Sequence, residues 1–307
     1  MTTTSDPLAD PAGAEEESRK DRAFVFGYRA LERAARATPE KTGRAIANRV
    51  GGLAFRLAPR VRAVVAANQA QVLGRPIGDP LVTASTREAF ELYARYFVDS
   101  FHLPELRDDE MSARVHCDTA ERLHRAFAEG KGGICVLPHL GNWDAAGRWM
   151  LAIGLPVLAV AEELKPRRLY DLFVEHRRSI GMDIVGSFDP NVGRTLASAL
   201  AANRMVALVA DRDLTGRGVE VEMFGRVRRI PAGPALLSIS TGSPLMVTPT
   251  YTTPDGWRIE IGEPLSIERT GDRRADVRAL TSMVARGFEE AIAAAPSDWH
   301  MFQPGWS

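Results

Sequence analysis

Between residues 119 and 210 the chain alternates short apolar runs with helix-periodic segments, and this alternation constrains the fold more than any single motif. The runs at 134–137, 157–161, 183–185 and 206–210 are long enough for buried strands and too short for helices. Helices are expected between them, at 119–130, from 142 onward, at 167–180 and at 191–203. Strand-helix-strand order of this kind builds a central, mainly parallel twisted sheet flanked by helices, an α/β fold. After Gly218, the stretches VEVEMF, LMVTPTYT and WRIEIGEPL read as further strands, and 275–295 as a closing helix. With 307 residues, 45% of them hydrophobic, the chain can bury one large α/β core.

In such sheets chemistry collects at the carboxyl ends of strands. The run 134–137 stops at Pro138, which cannot donate to a sheet ladder. His139 follows in a Leu-Gly turn, and Asn142 is placed to cap a helix beginning at Trp143. Asp144, in that first helical turn, is close enough to accept a hydrogen bond from one imidazole nitrogen, which would leave the other as a base. His-x4-acid spacing occurs three times in the chain, so spacing alone decides nothing. His116/Glu121 and His124/Glu129 fall in a charged, helix-like segment, 114–129, and read as solvated surface; only His139 follows an apolar strand and precedes a helix cap.

The run 206–210 likewise ends in polar residues, Asp211-Arg212-Asp213. In a parallel sheet these lie near the edge that carries His139, where an acid can hold the imidazole and an Arg fork can pair with phosphate. The alternative is a turn closed by an Asp-Arg ion pair. After the strand at 157–160, Glu162, Glu163 and Lys165, with Arg177 and Arg178 on the next helix, mark either the mouth of a site or solvated faces.

Residues 1–21, rich in acid, Pro and small side chains, are expected to be a disordered tail. Residues 22–110 read as a helical segment continuous with the α/β core at 111–307. Phe24, Tyr28, Leu31 and Ala35 form one apolar stripe there. Ile46, Val50, Leu53 and Leu57 form a second, flanked by Arg44, Arg49, Arg56 and Arg60. An Arg-flanked stripe can lie on an anionic membrane surface or pack on its own domain, and the pattern leaves both open. Zero formal net charge argues against a nucleic-acid binder. Two cysteines make no disulfide framework and fit a reducing compartment. The acidic, polar amino terminus reads as no signal peptide, and the longest charge-free run, 230–254, is broken by Pro and Gly, so no span is expected. Gly130–Gly133 lacks phosphate-loop spacing, and His116, Cys117 and His124 lack zinc-ligand spacing, so neither a metal nor a cofactor is expected.

PHLGNWD, then VAEELKP with EHRRSIG, then VADRDLTGRGVEVEMFG followed by PAGPALLS, in this order, resemble the bacterial lipid A lauroyl/myristoyl acyltransferases within the lysophospholipid-type acyltransferases. The likeness runs from about Phe24 to the terminal DWHMFQPGW and is strongest to the actinobacterial branch that acylates phosphatidylinositol mannosides. The resemblance implies transfer of a fatty acyl group from acyl-CoA, a co-substrate rather than a cofactor, to a sugar hydroxyl of a membrane glycolipid. It implies His139 as general base with Asp144 orienting it, and places Asp211 on the acid of the family's next motif, commonly Glu-Arg-Asp, one methylene shorter here. Glu162 and Arg177 match polar positions lining the acceptor cleft, and Arg212, with Asp213 beside it, is suited to phosphate of lipid or CoA. A backbone N–H at Gly141 or Asn142 is the expected oxyanion donor. The implied location is peripheral, on the inner leaflet at the cytoplasmic face of the cell membrane. The alternatives are an acyltransferase of this fold with a lysophospholipid or lipid A-like acceptor, a thioester hydrolase, or a non-catalytic lipid-binding protein.

Overall fold

The computed structural model describes residues 19–306. The expected tail therefore lies, up to residue 18, outside the described residues, while 19–21 already belong to the first helix. The amino-terminal part is four helices, α1 (Arg19–Arg36), α2 (Glu40–Leu57), α3 (Pro59–Leu73) and α4 (Pro80–His102). Helix α5 (Asp108–Arg114) and the short strand β1 (Val115–His116) lead to α6 (Glu121–Ala128). Alternation follows as β2 (Gly133–Leu137), α7 (Trp143–Ala152), β3 (Val157–Ala161), α8 (Arg167–Ser179), β4 (Asp183–Gly186), α9 (Val192–Ala201) and β5 (Met205–Val209). The chain closes with β6 (Val219–Met223), β7 (Arg226–Ile230), α10 (Gly233–Thr241), β8 (Leu245–Val247), β9 (Thr250–Thr252), β10 (Trp257–Ile259) and α11 (Arg273–Ala294).

The main sheet has five strands in the order β4-β3-β5-β2-β8, every pair parallel. The expected α/β class and helical amino-terminal extension are both present. Strand β2 is buried at all five positions. Its period of two sends Ile134 and Val136 into the core beneath α9 to α11, and Cys135 into the one beneath α5 to α7. Each fully buried Ile or Val of this kind contributes about 1.5–3 kcal/mol.

Segments 114–129 and 226–230 contain strands that the sequence reading did not place. Segment 114–129 is not one helix, because Val115 and His116 pair with Trp257 and Arg258 of β10 and separate α5 from α6. His116 is 68% exposed there, beside Asp118. RVRRI forms β7, hydrogen-bonded to β6, with its alternation inverted: Val227 points to solvent and Arg228 is buried.

Helix α2 packs on α4 through its small residues, Gly43, Ala47, Gly51 and Gly52. A Cβ at Gly51 would lie 2.5 Å from the Phe90 carbonyl oxygen, so only glycine permits this approach. The Ile46, Val50, Leu53 and Leu57 stripe lies on another face and stays 50–72% exposed. The helix thus packs on its own domain through its small residues, while the apolar stripe itself stays uncovered. On α1, Phe24 and Leu31 are also exposed, whereas Ala35 is buried and Tyr28 packs on Phe101 and Phe173.

Candidate active site

Strands β2 and β5 are neighbours, with Leu137 opposite Val209. His139 and Asp211 each stand two residues beyond that pair, so the register alone brings them together. The His139 ring nitrogen Nδ1 and Asp211 Oδ1 are 2.5 Å apart. Asp211 Oδ2 accepts the His139 backbone N–H at 3.1 Å and the Trp299 indole N–H at 2.8 Å. Asp211 is fully buried. Burial by itself would raise its pKa, but His139, the Trp299 donor and the Arg228 charge outweigh this and hold the carboxyl well below its ordinary range. A fixed carboxylate accepting from Nδ1–H selects the tautomer in which Nε2 carries the lone pair, and the His139 side chain is 23% exposed.

The hydrogen bond expected from Asp144 is thus made by Asp211. Asn142 caps α7 as expected, its side chain accepting from Ala145 N–H at 2.9 Å, and this sets Asp144 in the first turn. From there Asp144 turns toward α8 and α4. Its Oδ1 accepts from Arg177 Nε at 2.8 Å and its Oδ2 from the Tyr96 hydroxyl at 2.7 Å, which occupies both oxygens. Burial opposes ionisation of Asp144, yet Arg177, with His176 and the two hydrogen bonds, lowers its pKa below the ordinary value. Tyr96 is pushed well above its ordinary value by burial and by Asp144, so its hydroxyl stays a donor. Gly141 takes a left-handed φ of +59°, and a Cβ there would meet the Thr250 carbonyl. Its N–H is given to the Asp298 carbonyl at 2.9 Å, and Asn142, the other expected oxyanion donor, is buried and does not line the cavity that His139 lines.

His139, Asp144, Arg177, Glu162 and Arg212 line one cavity of about 350 Å³. Its mouth is polar and its depth apolar: Cys135, Ala146, Gly147, Met150, Met182 and Ala207 continue the lining into the space between β2, β5 and α7. Burial pushes the Cys135 thiol up to about 12, so it remains a neutral, apolar wall.

A family model described as bacterial lipid A biosynthesis acyltransferase matches residues 13–307. The chain belongs to this family. It is 38% identical over 289 residues to a protein named phosphatidylinositol mannoside acyltransferase from Mycolicibacterium smegmatis, covering 92% of this chain and 90% of that one. It is also 38% identical over 247 residues to a protein of the same name from Mycobacterium tuberculosis, covering 78% of this chain and 75% of that one.

In this acyltransferase the remaining expected residues divide. Arg212 Nη1 donates to Glu162 at 3.0 Å, joining the ends of β5 and β3 at the cavity mouth. Asp213 does not line the cavity: its carboxylate accepts from Thr215 N–H and hydroxyl and from Gly218 N–H, closing its own turn before β6. Among the described residues no group of three or more His, Cys, Asp and Glu is placed to hold a metal.

Three residues of the candidate site carried no sequence signal of their own. Buried Arg228 donates to the Asp211 carbonyl oxygen at 2.5 Å and lies over the rings of Trp299 and Trp306. Trp299, at the end of the chain, supplies the indole donor. His300 gives its backbone N–H to the His139 carbonyl at 2.7 Å, so the terminal segment is stitched against the His139 turn. The His300 ring lines the cavity and is buried. Burial and the nearby His139 bring its pKa down to about 3, so it is a neutral group facing the substrate space. The only hint was the density of aromatic and polar residues in DWHMFQPGW, which no periodicity organises.

Proposed function

We propose that this acyltransferase moves a fatty acyl group from acyl-CoA to a sugar hydroxyl of a phosphatidylinositol mannoside, working as a peripheral protein at the cytoplasmic face of the cell membrane. The observation that carries the reading is a histidine fixed through Nδ1 by a buried carboxylate, with its ring opening on a cavity that is polar at the mouth and apolar in depth. The names of the relatives favour the glycolipid acceptor. No helix among the described residues is long and apolar enough to cross a membrane. The exposed stripe on α2 and the exposed Phe24, Phe26 and Leu31 on α1 favour a surface contact instead.

In the proposed step the acceptor hydroxyl donates its proton to His139 Nε2 as its oxygen bonds to the thioester carbon. Asp211 holds the ring in the productive tautomer and stabilises the imidazolium. Collapse of the tetrahedral intermediate breaks the C–S bond, and the imidazolium returns the proton to the leaving thiolate, giving the ester and free CoA. Asp144 acts through its partners: it holds Arg177 and Tyr96 as part of the cavity wall. Arg212 and Glu162 at the mouth, with the neutral His300 ring, offer the hydrogen bonds that a phosphate and sugar hydroxyls require. The acyl chain occupies the apolar depth.

The test is free-thiol release from palmitoyl-CoA by the purified protein, with and without phosphatidylinositol mannosides. Release should depend on the glycolipid and fall by about two to four powers of ten in His139→Ala. Release that ignores the glycolipid would reject the acceptor, and undiminished release in the variant would reject His139 as the base.

A further inference from the structure

Helices α2 and α4 form a second concavity, away from the catalytic cavity. It is an open groove of about 640 Å³ walled by Arg49 and Arg56 on α2 and by Arg87 and Glu91 on α4. Arg49, Gly52, Leu53 and Arg56 fall at helical spacing i, i+3, i+4 and i+7, so they share one face of α2. Gly52 opens the floor: a Cβ there would stand 3.2 Å from the Glu91 carboxylate and 3.7 Å from the Arg87 guanidinium. Arg87 is held by Glu91 at 2.9 Å, whereas Arg49 bonds only the Ala45 carbonyl of its own helix and Arg56 makes no ion pair among the described residues. The groove therefore carries three guanidinium groups against one carboxylate, with two of the three free to turn toward a ligand. Its rim is Leu53, 52% exposed and part of the apolar stripe that reaches Leu57 at 72%.

We infer that this groove binds the headgroup phosphate of an anionic membrane phospholipid while the adjoining stripe enters the acyl boundary. Charge complementarity selects a phosphate, because guanidinium forks match its oxygens. The contiguous apolar rim selects a lipid, because a soluble phosphate would leave Leu53 and Leu57 in water. The inference rests on the peripheral-membrane reading above and sharpens it by fixing how the protein sits. Arg87 and Glu91 lie roughly 3–15 Å along the α4 axis from Tyr93, Tyr96 and Phe97, at 1.5 Å per residue, and those three side chains line the catalytic cavity. A lipid held in the groove thus brings the bilayer surface beside the cavity that α4 also walls.

The experiment is co-sedimentation of the full chain with phosphatidylcholine vesicles, with and without phosphatidylglycerol. The Arg56→Gln/Arg87→Gln double variant removes two groove charges, and Gly52→Leu fills the groove without changing charge. A Lys41→Gln/Arg60→Gln control removes equal charge from neighbouring positions outside it, and circular dichroism confirms folding of each. Affinity for phosphatidylglycerol vesicles should fall at least about tenfold in the double variant, about one interfacial kilocalorie per Arg lost. It should fall likewise in Gly52→Leu and change less than about twofold in the control. An equal fall in the control, or none in either groove variant, would overturn the groove and leave the membrane reading standing. So would equal binding of the unmodified protein to both vesicles. No binding to either vesicle would overturn both.

Discussion

Asp211 and Asp144 lie at the same end of the sheet, both are buried, and both are held as carboxylates, yet one serves a histidine and the other an arginine. The difference comes from how each is carried. Asp211 extends from a strand whose neighbour carries His139 two residues past the Leu137–Val209 pair. Asp144 rides on α7, and the helix turns it toward Arg177 and Tyr96. A carboxylate on the strand controls the protonation of the ring; a carboxylate on the helix ties α4, α7 and α8 around the cavity.

The largest expected effect separates the two by tautomer. Asp211 Oδ2 already accepts two N–H donors, from His139 and Trp299. In Asp211→Asn the amide oxygen must take that position, so the NH2 group faces His139 Nδ1. The ring is then forced to carry its proton on Nε2, where it cannot act as a base. A kcat loss of about three to four powers of ten should follow, as when a triad aspartate is amidated. Asp144→Asn leaves the tautomer intact, and the pH profile of kcat should keep its shape. A comparable loss of kcat with a displaced acidic limb in Asp144→Asn would break the distinction.

For Asp144 the larger effect is on stability. Removing Asp144 leaves the half-buried Arg177, 16% exposed, without its carboxylate, so Asp144→Ala should cost about 2–3 kcal/mol in urea unfolding, below the range for a fully buried pair. Its pH dependence has a definite sign. The folded-state pKa of Asp144 lies below its ordinary value of 3.8, so the unfolded chain takes up this proton first. The stabilisation is complete above that value and is lost as pH falls through the lower, folded-state one. The gap between the protein and Asp144→Ala should be constant from neutral pH down to about pH 5 and narrow in stronger acid. A gap that widens on acidification would show that Asp144 is not held as a carboxylate.

How much of this could be read beforehand follows the same division. His139 at a strand end, the bounds of β3 and the Asn142 cap rest on contiguous residues, and local pattern suffices for them. The choice between Asp144 and Asp211 does not: spacing along the chain favours the acid five residues away, whereas strand order makes neighbours of residues 72 apart. Arg228 was hidden by inverted alternation on β7, where a buried Arg over two Trp rings looks in sequence like a solvated strand. Asp213 misled for the opposite reason, since an Asp before Thr-Gly-Arg-Gly has enough local backbone donors to close a turn by itself.

The smallest expected effect concerns the depth of the cavity, where neither aspartate reaches. Gly147 on α7 faces Met182, and a Cβ at 147 would fall 2.2 Å from the Met182 sulfur. Both residues line the cavity, and Met182 is 3% exposed, so the thioether is a buried part of the wall, packed against a helix surface left bare for it. Met182→Ala enlarges the cavity there without touching the polar residues that line it. Each donor methylene newly accommodated is worth about 0.8 kcal/mol, or about fourfold in kcat/KM. Across myristoyl-, palmitoyl- and stearoyl-CoA, Met182→Ala should shift preference toward the longer donors while the pH profile that the proposed mechanism assigns to His139 and Asp211 stays in place. An unchanged chain-length optimum would mean that the acyl chain ends elsewhere. A shifted pH profile would mean that the apolar depth and the proton-transfer end are coupled, and the separation between them drawn from the two aspartates would fail.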